Sequence, residues 1–303
     1  MNLRRLYTKL LHRLPRHERL FTGQVEVSGK SFLVPKINGS MCGVSEPWMV
    51  ELLACLLSRR PGTFCDCGVN IGQTLLAVKA VDLERSYIGF EPNSECVSYV
   101  EKLVAVKKLP NVQIVPLGLA EVPGIRKLQL YHGTTSDPSA SLVQDFRPGE
   151  SISKIKLVPV MAFSDIEVQL GISDLGFVKI DVEGAEAEVI CSMRGALSTF
   201  KPWLIVEILP CYNAENVVRV TKQRMIESVM RDADYDIFRI IKTASGALQG
   251  VYELDEIGIH GEIDLSDYLF LPRNDTPTLS RYVNVLHRSM QGTRDRGKKC
   301  GRA

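Results

Sequence analysis

A glycine-rich turn and a more distant acid have the types and spacing needed to bind a nucleoside. In FCDCGVNIG, Asp66 ends an apolar run, and Gly68, Asn70 and Gly72 lead into a helical pattern. Glycines at such a turn let the backbone approach a ligand closely. Glu91 ends the next apolar run, 25 residues after Asp66, where a carboxylate can accept hydrogen bonds from both hydroxyls of a ribose. Each feature alone also fits a tight turn without a ligand or a solvated acid, so the pair together predicts an adenosine site.

Three acidic residues follow another apolar run closely, in FVKIDVEGAEAEVI. Asp181 ends the run, and Glu183 and Glu186 follow within five residues. Because like charges repel, a cation, hydrogen bonds or helix N-terminal amides must stabilise the group. The positive sulfonium of S-adenosylmethionine suits such a site, whereas the diphosphate of a nicotinamide cofactor does not. The alternative is helix capping, in which Glu183 and Glu186 only complement the helix dipole.

Alternating strands and helices must position these groups, because the hydrophobic spacing switches repeatedly between the two periods. The predicted strands span 63–67, 87–90, 112–117, 126–131, 156–161, 177–180, 204–209, 236–241, 248–254 and 268–271. The predicted helices span 73–81, 95–107, 187–197 and 219–233. This alternation implies a parallel sheet covered on both faces, with ligands bound at the carboxyl ends of its strands.

Together these stretches resemble the FkbM-type methyltransferases of the S-adenosylmethionine-dependent Rossmann-like superfamily. The similarity lies in DCGVNIG, in FEPN, and in KIDVEGAE followed by WLIVEI. GLAEVPG at 118–124 and SASL at 139–142 are also similar, and the resemblance spans about residues 45–207. It implies an α/β fold of the class I methyltransferase type, with a seven-stranded, mostly parallel sheet and helices on both faces. It also implies that S-adenosylmethionine is the cofactor and that a methyl group is transferred.

The resemblance also implies roles for single residues, through their positions in the motifs. The residues that would bind the cofactor are Glu46, Asp66, Gly68, Asn70, Gly72, Glu91, Gly118 and Asp181. Among them, the loop from Asp66 to Gly72 would hold the methionine part. Glu91 would hold the ribose and Gly118 would approach the adenine. Asp181 and Glu183 would lie near the methyl group.

Methylation of a hydroxyl requires a group that removes the hydroxyl proton. The candidates for that base, or for orienting the acceptor, are Asp181, Glu183 and Glu207. No metal site is predicted, because the five histidines and eight cysteines lack the spacings of zinc ligands. The polar loop 132–155 is expected to cover the acceptor.

The charge distribution bears on the acceptor. The chain has 303 residues and a net charge of +2, but both of its ends are basic. Residues 1–20 and 288–303 together carry 12 bases and two acids, which leaves the body with 25 bases against 33 acids. A body charge of about −8 disfavours a nucleic acid, whose phosphates would be repelled. We therefore expect the acceptor to be a hydroxyl on a small molecule or a glycan.

The predicted organisation has three parts. A basic amphipathic segment (1–22) precedes a methyltransferase domain (23–287) whose core spans 45–210, and a basic tail (288–303) follows. The basic ends could contact a membrane surface or an acidic partner. The apolar stretches are shorter than the ~18 residues of a membrane helix. The first 20 residues lack the apolar core of a secretory signal, so a cytoplasmic location is expected.

Several alternatives stay open at this point. An N-methyltransferase would use the same cofactor site, and a non-catalytic S-adenosylmethionine-binding protein would keep that site without turnover. A weaker alternative, an NAD-dependent oxidoreductase, would need a G-x-G-x-x-G turn and a substrate domain with its own catalytic group. Cys211 and the ENV triplet at 215–217 are similar to two motifs of cytosine-C5 DNA methyltransferases. Because both follow a single strand here, Cys211 is predicted to be a passive loop thiol.

Overall fold

The computed structural model describes residues 21–286, except for 38, 39, 133, 135, 145 and 148. The basic ends predicted at 1–22 and 288–303 therefore lie outside the described residues, apart from positions 21 and 22 in the first strand. None of the described helices is long and apolar enough to cross a membrane.

Strands and helices alternate through the middle of the chain. The described strands are β1 (Phe21–Val27), β2 (Lys30–Ile37), β3 (Ser40–Met41), β4 (Thr63–Cys67), β5 (Tyr87–Phe90), β6 (Val112–Val115), β7 (Gly118–Leu119), β8 (Gly124–Leu130), β9 (Lys154–Met161), β10 (Leu175–Ile180), β11 (Trp203–Glu207), β12 (Tyr235–Lys242), β13 (Leu248–Leu254), β14 (Asp267–Pro272) and β15 (Val285–Leu286). The described α-helices are α1 (Pro47–Leu56), α2 (Gln73–Val81), α3 (Ser94–Lys107), α4 (Phe163–Ile166), α5 (Glu186–Ser192), α6 (Arg194–Phe200), α7 (Val217–Asp232) and α8 (Thr276–Leu279).

The main sheet has nine strands within the described residues, in the order β15-β13-β12-β14-β11-β10-β4-β5-β6. Neighbouring strands are parallel from β6 to β11. The strands β14, β12 and β13 then pair antiparallel, and β15 pairs with β13 in parallel. The predicted class of fold is confirmed, but the predicted count of seven strands is wrong. The sheet is longer because β13 forms a hairpin with β12 and leaves an edge that the two-residue β15 covers.

Both faces of the sheet are buried, as expected for parallel strands between helices. Alternate residues of one strand point to opposite faces, so Phe64 joins the core under α1, α2 and α3 while Cys65 joins the core under α4, α5, α6 and α7. Phe64 stacks between Tyr87 and Phe177, with ring centroids 5.9 and 6.0 Å away. The stacked rings therefore fill the core near the amino ends of β4 and β5, at the end of the sheet opposite the predicted site.

Local sequence explains where the helices begin and end. The predicted helix 73–81 is confirmed with the same first and last residues, and α3 begins after Asn93, whose side chain accepts a hydrogen bond from the Glu95 amide. The predicted helix 187–197 is instead two helices, α5 and α6, which are separated by Met193 at φ −101° and ψ 6°.

A small antiparallel sheet, β1-β2-β3, precedes the first predicted strand. These strands are not among those that the hydrophobic pattern predicts, which begin at residue 63. Phe32 and Val34 of β2 are buried in the main core. The Tyr99 hydroxyl on α3 donates to the carbonyl of Pro35 at 2.5 Å and accepts from the Cys42 amide at 2.6 Å. The small sheet therefore packs against the outer side of α3 and covers it.

The loop 132–155 connects the antiparallel strands β8 and β9, as predicted. It bends back over the carboxyl end of the main sheet. Ser141 bridges to Gln129 on β8, and its hydroxyl donates to the backbone carbonyl of Glu183 at 2.6 Å. The loop thus forms one wall of the site described next.

Candidate active site

An open cleft lies at the carboxyl ends of β4, β5 and β10 and contains about 620 Å³ of space. The strand order reverses between β4 and β10, which is where sheets of this kind bind ligands. Six of the predicted site residues line the cleft: Gly68, Asn70, Glu91, Gly118, Asp181 and Glu183. Its apolar wall includes Leu119, Leu128, Pro138 and Leu142. The mixture of polar groups and an apolar wall is typical of a small-molecule site.

In the turn after β4, the backbone of Gly68 packs directly against the backbone at the end of β10. Gly68 has a φ of 95°, and a Cβ at this position would lie 1.9 Å from the carbonyl oxygen of Asp181. Asn70 follows with a left-handed φ of 49°. Because a side chain larger than hydrogen cannot fit at Gly68, the turn and the end of β10 together form the floor of the cleft.

Within the part of the chain that the structure describes, two backbone amides hold the Glu91 carboxylate. Its Oε2 accepts from the Asn70 amide and its Oε1 from the Asn93 amide, both at 2.8 Å. Each carboxylate oxygen has a second acceptor position, which leaves two positions for a ligand. Burial raises the pKa of Glu91 to about 7, and the two amides only partly oppose that shift. The geometry fits a vicinal diol such as a ribose.

Asp66 lies beneath the cleft rather than in it. Its side chain is fully buried and accepts a short hydrogen bond from the Tyr87 hydroxyl. Its Oδ1 has no hydrogen-bond partner among the described residues. Burial raises the pKa of Asp66 to about 6. Gly72 is also absent from the lining of the cleft. It precedes α2 with a φ of 94°, and a Cβ at this position would lie 3.1 Å from Leu103 Cδ2. Contact of either residue with the cofactor stays a prediction.

Asp181 and Glu207 form a hydrogen-bonded pair of carboxyl groups where β10 and β11 end. Burial alone would raise the pKa of Asp181, but the Lys179 ammonium, 2.8 Å from its Oδ2, and the Glu207 carboxyl lower it overall. Burial, followed by the charge of Asp181, raises the pKa of Glu207 to about 11. At neutral pH Asp181 is therefore ionised, and Glu207 is the partner that carries the proton.

Glu183 stands at the mouth of the cleft in a left-handed backbone conformation, with a φ of 53°. The guanidinium of Arg147, from the loop 132–155, donates to its Oε2 at 2.7 Å. Burial and the neighbouring Asp181 raise the pKa of Glu183 to about 7, although Arg147 opposes the shift. A carboxyl group with this pKa can take up and release a proton near neutral pH.

The remaining predicted residues differ in their surroundings. Glu46 precedes α1 and faces Lys179, Asp181 and Asp267, and burial raises its pKa. Gly118 lines the cleft on the side of Leu142, whose Cδ1 would lie 2.9 Å from a Cβ at this position. Glu186 is the first residue of α5 and accepts from the Gly184 amide at 2.8 Å, so it lies where an acid complements the helix dipole, as the alternative describes. The structure thus brings Asp181, Glu183 and Glu207 together and leaves Glu186 in its own helix.

Two residues of the site escaped the sequence analysis. The sequence contains a signal for Lys179, because a lysine inside the apolar strand FVKI needs an anion to compensate its buried charge. Asp181 follows two residues later, on the same face of the strand. Arg147 had no comparable signal in its polar loop. Among the described residues, no group of three histidine, cysteine or acidic side chains is arranged to hold a metal ion.

Cys211 lies away from the cleft and is buried. Its thiol donates to the Gln223 Oε1 at 3.2 Å, and burial raises its pKa. Asn216, from the ENV triplet, caps α7 by accepting from the Arg219 amide. These positions fit a passive thiol and a helix cap rather than a nucleophile and its partner motif.

Several solved structures are similar to this chain. The methyltransferase FkbM from Methylobacillus flagellatus KT has 17% identity, a TM-score of 0.42 and an alignment that covers 69% of this chain. That alignment covers 43% of the Methylobacillus chain. The O-methyltransferase TomG from Streptomyces achromogenes, in complex with SAM, has 12% identity and a TM-score of 0.42, with 74% of this chain and 78% of TomG covered. Aeropyrum pernix fibrillarin with bound S-adenosyl-L-methionine has 12% identity and a TM-score of 0.39, with 86% of each chain covered.

No functionally curated protein matches the sequence. The sequence profile of the methyltransferase FkbM domain matches residues 66–237, more than half of the chain. That range contains the turn after β4, Glu91, and the acids that follow β10 and β11. The chain therefore belongs to the FkbM methyltransferase family and contains an S-adenosylmethionine-dependent methyltransferase domain.

Proposed function

We propose that the protein transfers a methyl group from S-adenosylmethionine to a hydroxyl of a small molecule or a glycan. The observation that carries the proposal is Glu183. Its carboxyl group, with a pKa raised to about 7 by burial, lines the same cleft as Glu91 and Asp181. A proton acceptor with that pKa is what O-methylation at neutral pH requires.

The residues of the cleft fit the cofactor. The free acceptor positions of Glu91 suit the two ribose hydroxyls, and the backbone at Gly68 and Asn70 is open to the methionine part. Gly118 and the neighbouring apolar wall suit the adenine. The ionised Asp181 suits a cationic group, and Asp66 and Gly72 would support the turn from below. When bound, the cofactor supplies an electrophilic methyl group attached to a sulfonium.

Glu183, Asp181 and Glu207 have different proposed roles in the reaction. Glu183, when ionised, takes the proton of the acceptor hydroxyl as the oxygen becomes methylated. Asp181 accepts a hydrogen bond and orients the acceptor, which can contribute several kcal/mol by itself. Glu207 is poorly suited as a base because it already carries a proton, so its proposed role is to donate to Asp181.

The acceptor class follows from charge and shape. The acidic body, at about −8, would repel a phosphate backbone, and the cleft combines a few polar groups with an apolar wall, as small-molecule sites do. Contact of the basic ends with a membrane surface or an acidic partner stays a prediction, since both ends lie outside the described residues. A cytoplasmic location also stays a prediction.

The test is to incubate the protein with methyl-labelled S-adenosylmethionine and fractionated cell metabolites and to trace the label. We expect label in an alcohol-bearing metabolite or a glycan, and its loss with Glu183→Gln. Label found only on nitrogen, or only in purified nucleic acid, would overturn the assignment to oxygen. Cofactor binding without any labelled product in all fractions would favour the non-catalytic alternative.

A further inference from the structure

Lys179 is a buried lysine that the proposed function does not use. It lies on β10 in register with Asp66 on β4, and only 5% of the residue is exposed. Its ammonium donates to Asp181 Oδ2 at 2.8 Å, inside the sheet and directly below the cleft. A buried charge of this kind is costly unless its partners compensate, so these partners are informative.

Acidic groups face Lys179 from several elements. Three acids act on Lys179 directly: Asp66 on β4, Glu46 just before α1 and Asp181 at the end of β10. Glu207, at the end of β11, is linked to Lys179 through its hydrogen bond with Asp181. Beyond them, Glu183 follows β10 and Asp267 starts β14. The nearby Lys242 on β12 is paired with Asp267, with its Nζ 2.5 Å from Oδ2. The acids near Lys179 therefore outnumber the lysines.

The position of Lys179 decides which of two adjacent carboxyl groups is ionised. Asp181 and Glu207 follow the register pair Ile180 and Val206 on adjacent parallel strands and are hydrogen-bonded to each other. Two carboxyl groups paired in this way share one proton, because both cannot ionise at low cost. Lys179 contacts Asp181, whereas Glu207 lies beside Asp267 in the register of β11 and β14. The cation favours charge on Asp181, and the acidic neighbour disfavours charge on Glu207. The directions of the two pKa shifts agree with this geometry.

We propose that Lys179 is a positioning residue that keeps Asp181 as the carboxylate of the pair and leaves the shared proton on Glu207. The link to methyl transfer rests on the proposed function, but the distribution of the proton does not. Lys179 does not line the cleft and its ammonium contacts Asp181, so it acts through Asp181. Without the ammonium, the first ionisation of the pair would move to higher pH, and the charge that orients the acceptor would no longer be held on Asp181 by an adjacent cation.

The chain offers a matched control in Lys79, a second buried lysine on the same side of the sheet. Its ammonium donates to three backbone carbonyls, of Leu83, Arg85 and Pro110, rather than to a carboxylate. Lys79→Met removes a buried ammonium just as Lys179→Met does, but it leaves the Asp181 and Glu207 pair intact.

The experiment is a carbon-13 NMR titration of side-chain carboxyl groups in the full-length protein without acceptor, with Asp181→Asn and Glu207→Gln used to assign the two signals. In Lys179→Met we expect the midpoint of Asp181 to rise by at least one pH unit, the lower range for losing an adjacent opposite charge. In Lys79→Met we expect it to stay at the wild-type value. An unchanged midpoint in a folded Lys179→Met protein would overturn the proposal.

A wild-type titration keeps the proposal testable if Lys179→Met does not fold. Between about pH 5 and 9 the Asp181 carbon should remain at its ionised shift and the Glu207 carbon at its protonated shift. The reverse assignment, or a common midpoint near the ordinary value of a carboxyl group, would contradict it. Failure to detect methyl transfer would count against the proposed function and leave this result standing.

Discussion

Glu91 and Glu183 are both buried carboxyl groups of one cleft, and burial raises the pKa of each to about 7. They differ in what holds them. Glu91 is bound by two backbone amides, so its geometry depends on the path of the main chain. Glu183 is bound by the side chain of Arg147, which comes from a loop 36 residues away. The Glu91 end of the cleft is therefore a binding end that the main chain holds in place, whereas the Glu183 end depends on a single side chain from a distant loop.

The strongest test of this difference is Glu183→Gln, which keeps the shape of the side chain and removes its ability to take a proton. We expect turnover to fall by at least ~10²-fold, the lower range for a lost acid–base group. Affinity for S-adenosylhomocysteine, measured by calorimetry, should stay within a few-fold.

Glu188→Gln is the matched control, because Glu188 lies on α5, pairs with Lys222 and does not line the cleft. It should keep wild-type turnover. If Glu183→Gln were as active as Glu188→Gln, the division of the cleft into a binding end and a proton-transfer end would be wrong.

Glu91→Ala tests the other end. It removes two charge-assisted hydrogen bonds to the ribose, each worth ~1.5–3 kcal/mol at most, so we expect S-adenosylhomocysteine to bind at least about tenfold more weakly. Glu101→Ala, at an exposed position on α3, serves as the control. Calorimetry that gives equal affinities for two folded variants would remove Glu91 from the ribose site.

Arg147→Met sharpens the comparison, because it removes the cation that is bound to Glu183; the same guanidinium also pairs with the exposed Glu150 at 3.5 Å. Arg147 lowers the pKa of Glu183, so its removal should raise that pKa by roughly one unit. The ionised form is the base, so the rising limb of the pH–rate profile should move to higher pH. Turnover at pH 7 should fall by up to about tenfold and recover in alkaline buffer.

Arg126→Met, on the exposed part of β8, should leave that profile in place. A loss of turnover in Arg147→Met that is the same at every pH would indicate that Arg147 only supports the loop.

The smallest expected effect is the pH dependence of cofactor binding. Ribose hydroxyls donate to the carboxylate form of Glu91, so binding lowers its pKa from about 7 and releases a proton. Affinity for S-adenosylhomocysteine should therefore rise with pH through about 7, by up to about tenfold between pH 6 and 8. In Glu91→Gln this part of the dependence should vanish, and identical slopes in the two proteins would refute the assignment.

The local features of the site could be predicted from the sequence. The glycine-rich turn after β4 and the acid after β5 depend on a few adjacent residues, and each strand ends where its apolar run ends. Asp66 shows the limit of this approach. It belongs to the same motif as Gly68, but the alternation of side chains along β4 points it into the core beside Tyr87 rather than into the cleft.

The strand order and the number of strands in the sheet could be predicted less well from the sequence. The hairpin of β12 and β13 and the short β15 extend the sheet because an unpaired edge was available, which no spacing within one segment reveals. The break at Met193 and the small sheet β1-β2-β3 also depend on packing against the rest of the molecule.

By itself, the sequence determined the class of fold, the family, and the position of each acid at the end of a strand, because turns and hydrophobic periods act over a few residues. The tertiary structure alone decided which acids carry a proton. Whether a carboxyl group ionises depends on burial and on charges a few ångströms away, and these come from distant segments: Arg147 beside Glu183, and Glu207 beside Asp181. The resulting protonation pattern, with Asp181 charged, Glu207 neutral and Glu183 between the two, is therefore a property of the folded molecule.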